Sequence, residues 1–215
     1  MYVIPADGRK SPRRLTDEAG FDAPWLAWSP DARHLAVAAE TAQEIQDQGH
    51  LIWVERLAEL ELIDVDSGSR RRLTDLGGNV EQISWSPDGQ QIAFQADGDL
   101  YVIAATGGDP RLLSSGLANH GTPTWSPDGS RIAAFERVDP SDPGGDRQYR
   151  ILVVPLDGEA RGYPCADTPW HIAWSPESSE LVRTEGNRLV LLEVPSGAES
   201  VLHESVGYQS RLDWQ

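Results

Sequence analysis

The chain has a single cysteine, Cys165, among its 215 residues, so no internal disulfide framework exists. No stretch approaches 18 apolar residues, which excludes a membrane-spanning helix. Basic residues are scarce: 18 Lys and Arg stand against 34 Asp and Glu, for a formal charge of −16. A surface of that sign displaces no counterions from phosphates and is repelled by anionic lipid, which argues against nucleic acid and membrane surfaces as partners. The opening residues Met1-Tyr2-Val3-Ile4-Pro5-Ala6-Asp7-Gly8 lack a charged leader ahead of a long apolar stretch, so no signal peptide is expected. Catalytic signatures are missing as well. There is no Gly-x-Ser-x-Gly elbow, no phosphate-binding loop and no dinucleotide-binding glycine fingerprint. Neither catalytic residue nor cofactor is expected.

The chain is rich in glycine (20), proline (15) and tryptophan (8), a mix suited to many short elements and turns. Four segments repeat almost word for word: Trp28-Ser29-Pro30-Asp31-Ala32, Trp85-Ser86-Pro87-Asp88-Gly89, Trp125-Ser126-Pro127-Asp128-Gly129 and Trp174-Ser175-Pro176-Glu177-Ser178. A fifth tryptophan, Trp214, follows Leu212-Asp213. The intervals between these tryptophans are 57, 40, 49 and 40 residues. A second landmark is a turn glycine at Gly8, Gly68, Gly108, Gly158 and Gly197, lying 20, 17, 17, 16 and 17 residues before the next tryptophan. Nearly all length variation therefore falls between tryptophan and turn glycine.

Each unit reads as four short strands, A to D. Strand A ends at the tryptophan (Gln82-Ile83-Ser84-Trp85), and Ser-Pro-Asp-Gly makes a turn in which Pro presets φ, Asp caps locally and Gly accepts positive φ. Strand B follows (Gln91-Ile92-Ala93-Phe94), then the apolar strand C (Leu100-Tyr101-Val102-Ile103), a glycine turn and strand D (Arg111-Leu112-Leu113). Four strands per roughly 40 residues is the blade of a β-propeller. Ala32 and Ser178 stand where glycine would relieve positive φ, so those turns are either strained or of another type.

The expected fold class is all-β: a β-propeller of four-stranded antiparallel blades, four full and one split. The divisions are 1–20 (strands C and D of the split blade), 21–78, 79–117, 118–167 and 168–205 (full blades), and 206–215 (strand A of the split blade). From Trp214 round to Gly8 there are about 9 residues where an ordinary unit has 23, so the Ser-Pro-Asp-Gly turn and strand B are expected to be absent from the split blade. The chain is either a five-bladed ring with an incomplete blade or a piece of a longer propeller, and the missing strand favours the piece.

The motif Trp-Ser-Pro-Asp-Gly, a strand, Leu-Tyr-Val-Ile, Gly-Gly and Arg-Leu-Leu resembles the TolB-like propeller repeat, matched nearly throughout from Val80 to Leu113. It differs from the WD repeat, which places Gly-His before the blade and Trp-Asp at the end of strand C. The same repeat occurs in propeller domains of prolyl-oligopeptidase-like enzymes, where a separate hydrolase domain carries the catalysis. The resemblance implies a binding platform, with a protein or peptide as the expected partner, and a six-bladed ring as the longer propeller of which the chain would be a fragment.

Two insertions interrupt the repeat. Some 17 extra residues, Thr41 to Leu57, lie between strands B and C of the first full blade and read equally as a helical turn at Glu44–Gln48 or a protruding hairpin. Ten more surround Asp139, Asp142 and Asp146, a loop by composition. No metal site is expected: the Asp64-Val65-Asp66-Ser67-Gly68 run fails as an EF-hand start, with glycine one place early. Cys165 reads as a packed apolar residue. In propellers strand A lines the channel, whose entrance is where small molecules or peptides dock. The residues just ahead of each repeat tryptophan vary where their surroundings repeat, which nominates Trp25, Glu81, Gln82, His120, Trp170, His171 and Arg211 as the docking surface.

Overall fold

The computed structural model describes residues 1–4, 11–16, 23–47, 50–117, 121–138, 149–167 and 169–204. These residues form eighteen β-strands and no helix, hence none long and apolar enough to cross a membrane. The fold is a β-propeller. A two-stranded sheet, β1 (Tyr2–Val3) with β2 (Arg13–Arg14), is followed by four antiparallel four-stranded sheets. Blade one comprises β3 (Leu26–Trp28), β4 (His34–Asp47), β5 (His50–Asp64) and β6 (Arg70–Arg72). Blade two comprises β7 (Val80–Trp85), β8 (Gln91–Ala96), β9 (Asp99–Ala104) and β10 (Arg111–Ser114). Blade three comprises β11 (Thr124–Trp125), β12 (Arg131–Arg137), β13 (Tyr149–Pro155) and β14 (Arg161–Pro164). Blade four comprises β15 (Pro169–Trp174), β16 (Glu180–Glu185), β17 (Arg188–Glu193) and β18 (Glu199–His203). Every full blade is a meander in chain order.

The central strands are buried on both faces because blades stack face to face, so alternate residues serve different cores. Along β4, Ala36 and Ala38 join the core shared with blade two, while Leu35, Val37 and Ala39 join the core under the N-terminal pair, with Val3 and Leu15. In β13, Ile151 and Val153 face blade four, and Leu152 and Val154 face blade two. Unbroken apolar runs are what such a sandwich requires.

The repeated turns close as their residues dictate. In blade two the Ser86 hydroxyl donates to Asp88 Oδ1 (2.6 Å) and accepts from the Gln91 N–H (2.9 Å), while Gly89 N–H donates to Ser86 O (2.9 Å). The same bonds recur at Ser29, Asp31 and His34 and at Ser126, Asp128 and Arg131. Asp88 is held below its ordinary pKa, first by the Ser86 hydroxyl and then by the Gln90 N–H. At the fifth position Gly89 and Gly129 have φ of 70° and 71°, and Ala32 and Ser178 keep 57° and 59°. The two glycine-free turns are therefore the same turn under strain, and not another type.

The first insertion is a hairpin. β4 and β5 pair from His34↔Asp64 to Asp47↔His50, with one bulge between Ile45 and Gln46 where the register passes over Ile52. Residues Glu44–Asp47 are strand, so the helical-turn alternative does not hold. Extending an existing ladder adds bonds without a fresh nucleus, whereas an isolated helical turn bears the full nucleation cost. The acidic loop with Asp139, Asp142 and Asp146 lies outside the described residues.

Candidate functional site

Each strand A starts at one end of the molecule and finishes at the Ser-Pro turn at the other. Neighbouring turns touch: a Cβ on Gly89 would sit 3.5 Å from Pro30 Cδ, one on Gly129 would sit 3.9 Å from Pro87 Cδ, and the Asp128 N–H donates to Ser178 Oγ (3.1 Å). That places the described strand A starts together at the opposite end.

Glu81 and Gln82 open β7, and a buried carboxylate positions them. Glu59 of β5, 2% exposed, accepts from the Thr74 hydroxyl (2.5 Å) and the Gly77 N–H (2.8 Å), with Arg72 Nη2 at 3.1 Å. Burial pushes its pKa up, but those hydrogen bonds and the arginine outweigh it, and the carboxyl titrates below its ordinary range. The loop into β7 is thus tied to blade one, and Ala58 N–H completes the tie by donating to Gly78 O (3.2 Å). Blade four repeats the device with other residues. Glu185, 1% exposed, accepts from the Asp167 N–H (2.6 Å) and pairs with the equally buried Arg183 (2.8 Å), whose other arm holds Glu199 (2.9 Å). Neither anchor is evident from the repeat; Glu59 at least stands as a charge within the apolar run Leu57-Ala58-Glu59-Leu60, whereas Glu185 ends a strand that is itself largely polar.

A bulge between Glu81 and Ser84 turns Gln82 out of the ladder. Gln82 takes a left-handed φ of 50°, is 5% exposed, and its Oε1 accepts from the Thr122 hydroxyl (2.9 Å) across to blade three. Left-handed backbone at a residue other than glycine is costly and is retained where surrounding structure enforces it. Glu81 is half-buried and its pKa is raised, by desolvation first and by the nearby charge of Asp97 second. Opposite Glu81 in the ladder stands Gln95, 1% exposed, whose amide has no hydrogen-bond partner among the described residues. Blade four has a matching bulge between Pro169 and Ile172, placing Trp170 (49% exposed) and half-buried His171 at the rim, with the His171 N–H on Thr184 Oγ1 (3.2 Å). Trp25 is half-buried and packs against the core between blades one and two. Glu81, Gln82, Trp170 and His171 thus occupy corresponding places on two strand A starts, while His120 and Arg211 lie outside the described residues.

Cys165 follows β14, packs against the core of blades three and four, and has its thiol pushed up to about 11 by burial. A cleft of about 350 Å³ that no motif announces lies at the turn end of blades one and two, lined by Asp31, His34, Arg71 and Asp88 among others. Arg71 crosses beside it to donate to the carbonyls of Ala105 (2.8 Å) and Thr106 (2.6 Å), so the arginine bonds one blade to the next.

No protein-family model matches the chain. Among solved structures, a nidogen/laminin complex aligns with a TM-score of 0.61 at 14% identity, over 91% of this chain and 70% of that one. Dipeptidyl peptidase 4 of Porphyromonas gingivalis gives 0.59 at 13% identity, over 89% and 34%. Hydrazine synthase of Kuenenia stuttgartiensis gives 0.58 at 17% identity, over 80% and 52%. The chain therefore spans about half the hydrazine synthase chain and about a third of the peptidase chain. At these identities the likeness shows the β-propeller fold alone.

Proposed function

We propose that the chain is a non-catalytic, TolB-like propeller scaffold that binds a protein or peptide at the channel mouth. The observation that carries this reading is Gln82, a non-glycine residue with left-handed φ in a strand bulge, bridging two blades where the repeat otherwise enforces uniformity. Strain kept at a rim is a reason to look for a ligand there. Trp170 supplies an exposed aromatic anchor beside His171, Glu81 supplies a half-buried carboxyl held above its ordinary pKa by desolvation first and by Asp97 second, and the amide of Gln95 beneath it has no hydrogen-bond partner among the described residues. Exposed aromatics with polar neighbours suit a peptide better than an apolar small molecule. The test is selection of binding peptides from a displayed library, followed by titration against Trp170→Ala and His171→Ala. A hot-spot tryptophan is worth about 2 kcal/mol or more, roughly thirtyfold in affinity. Selected peptides that bind both variants as tightly as the parent would remove the mouth as the site.

A second reading, that the chain is the substrate-gating propeller of a prolyl-oligopeptidase-like enzyme, is favoured by the presence of the same Trp-Ser-Pro-Asp-Gly repeat in that family. A Gly-x-Ser-x-Gly segment in the same native polypeptide would decide for it.

A further inference from the structure

Three repeat tryptophans tie their blade to the one before. Trp85 Nε1 donates to Ala27 O (3.0 Å), Trp125 Nε1 to Ser84 O (3.4 Å) and Trp174 Nε1 to Thr124 O (3.0 Å). The residue that opens strand B of the preceding blade, five places after its motif serine, belongs to the same groove: His34, Gln91 and Arg131 in turn. Between blades three and four that residue is a cation. Arg131 lays its guanidinium over the Trp174 ring, 4.9 Å from the centroid, donates to Ser178 O (2.5 Å) and stands 3.7 Å from Asp128 Oδ2. Trp174 is 5% exposed beneath it. Between blades one and two the same surroundings lack the cation. Trp85, Asp31 and Gly89 take the places of Trp174, Asp128 and Ser178, and all three line the cleft of about 350 Å³. Asp31 spends Oδ1 on the Ser29 hydroxyl (2.7 Å) and the Arg33 N–H (3.0 Å), as Asp128 spends its own on Ser126 and Ser130, so Oδ2 is the oxygen left for a cation. His34 is too short to do what Arg131 does. Its Nε2 stands 3.9 Å from Asp64 Oδ2 of its own blade, and among the described residues no hydrogen bond from it crosses to blade two. Trp85 stays half-buried, where Trp125 and Trp174 are buried.

We propose that the cleft between blades one and two receives a guanidinium from outside the chain, in the place that Arg131 fills between blades three and four. The guanidinium plane stacks on the Trp85 indole, one N–H edge faces Asp31 Oδ2 and another faces Gly89 O. A planar, delocalised fork meets all three at once, whereas an ammonium is a compact point charge with no plane to stack. Asp88 adds a second carboxylate to the lining, and the surplus of acidic residues favours a cationic ligand. Arg71 also lines the cleft and does not bar it. Its guanidinium is committed to the carbonyls of Ala105 and Thr106. Its counterpart Arg161 is committed in the same way to Pro195 O, beside a groove that already holds Arg131. The cleft lies at the turn end of the blades, so the inference does not depend on the mouth binding a peptide.

Titration of the ¹⁵N-tryptophan-labelled full-length chain with the tripeptide acetyl-Gly-Arg-Gly-amide tests it, with the Trp85 indole resonance assigned by its loss in Trp85→Phe. That resonance is expected to move with a dissociation constant on the order of 1 mM, while those of Trp125 and Trp174 stay in place. The tripeptides with citrulline or lysine in place of arginine are expected to bind roughly tenfold more weakly or worse, the first for want of charge and the second for want of a plane. His34→Arg puts the chain's own cation into the cleft and should weaken the arginine tripeptide by roughly tenfold or more, whereas His34→Gln should leave it within about twofold. Methylguanidinium separates the sources: binding equal to the tripeptide assigns the site to a free guanidinium compound, and tighter tripeptide binding assigns it to an arginine side chain of a partner. Equal binding of the citrulline or lysine tripeptide, or a Trp85 resonance that the arginine tripeptide does not move, would overturn the proposal. Both comparisons use the unsubstituted chain and so do not depend on a variant folding. Undiminished binding by a folded His34→Arg chain would overturn it as well.

Discussion

Ala32→Gly should make the protein more stable, although the substitution removes atoms and adds chain entropy. Ala32 is exposed and holds φ at 57° in a turn whose counterparts in blades two and three use Gly89 and Gly129. An L-residue in that region costs about 1–2 kcal/mol. Glycine returns about 0.4–1 kcal/mol of that through the freer unfolded chain, leaving a net gain of roughly 0.5–1 kcal/mol. Urea unfolding monitored by tryptophan fluorescence should show a higher midpoint at unchanged slope, equivalent to a rise of about 1–4 °C in Tm for a chain of this size. Gly129→Ala should cost about the same amount, because the added methyl meets only Pro87 at 3.9 Å and the penalty is that of the backbone. Ser178→Gly divides the effects: it relieves the strained φ of 59° but deletes the bond from the Asp128 N–H, worth about 1 kcal/mol, and should come out near neutral. The reasoning fails if Ala32→Gly destabilises the protein, or if Gly129→Ala has no cost.

Arg183→Leu should destabilise by about 3–5 kcal/mol by leaving Glu185 buried without its cation, and Arg183→Leu with Glu185→Leu should recover much of that loss; equal midpoints for single and double variants would refute the pairing. Glu81 binds its proton more readily folded than unfolded, so its ionised form weakens the fold at neutral pH, and stability from this group rises as pH falls through the raised folded value, levelling off below the ordinary one. Glu81→Gln is therefore expected to be more stable than the parent at pH 7 and indistinguishable from it below about pH 4, measured by denaturant titration at both values. Cys165, with its thiol near 11 against the ordinary 9.0, should react with iodoacetamide at pH 8 on the order of a hundredfold more slowly than a free thiol, and at the ordinary rate once unfolded. Fast labelling of the native protein would contradict its burial.

The parts of the fold that the sequence revealed are those whose causes are local. Ser86, Pro87, Asp88 and Gly89 set their own turn through bonds spanning at most five residues, so four copies of the motif located four blades. The strain at Ala32 and Ser178 was left open because composition cannot say whether a turn adapts or endures. The hairpin of β4 and β5 was one of two readings, since a short mixed segment carries no decisive period and only the register with the strands beneath settles it. The mouth was harder to read. Gln82 and His171 were found by their distance from a tryptophan, but the bulges beneath them depend on Glu59 and Glu185, whose partners lie 15 to 18 residues away. Trp25 shows the same gap from the other side: sequence position sets it among the rim residues, and packing turns it to the core between two blades.

The indole bonds and turn contacts join each blade only to its immediate neighbours, which makes the molecule energetically a short one-dimensional array. Its free energy divides into what each blade contributes alone and what each junction adds. Among the described residues, loss of blade two or three removes two junctions, so each of these blades is held by both of its neighbours. Slow exchange should accordingly be pronounced at β8, β9, β12 and β13, the central strands of the two blades that have a described junction on each face.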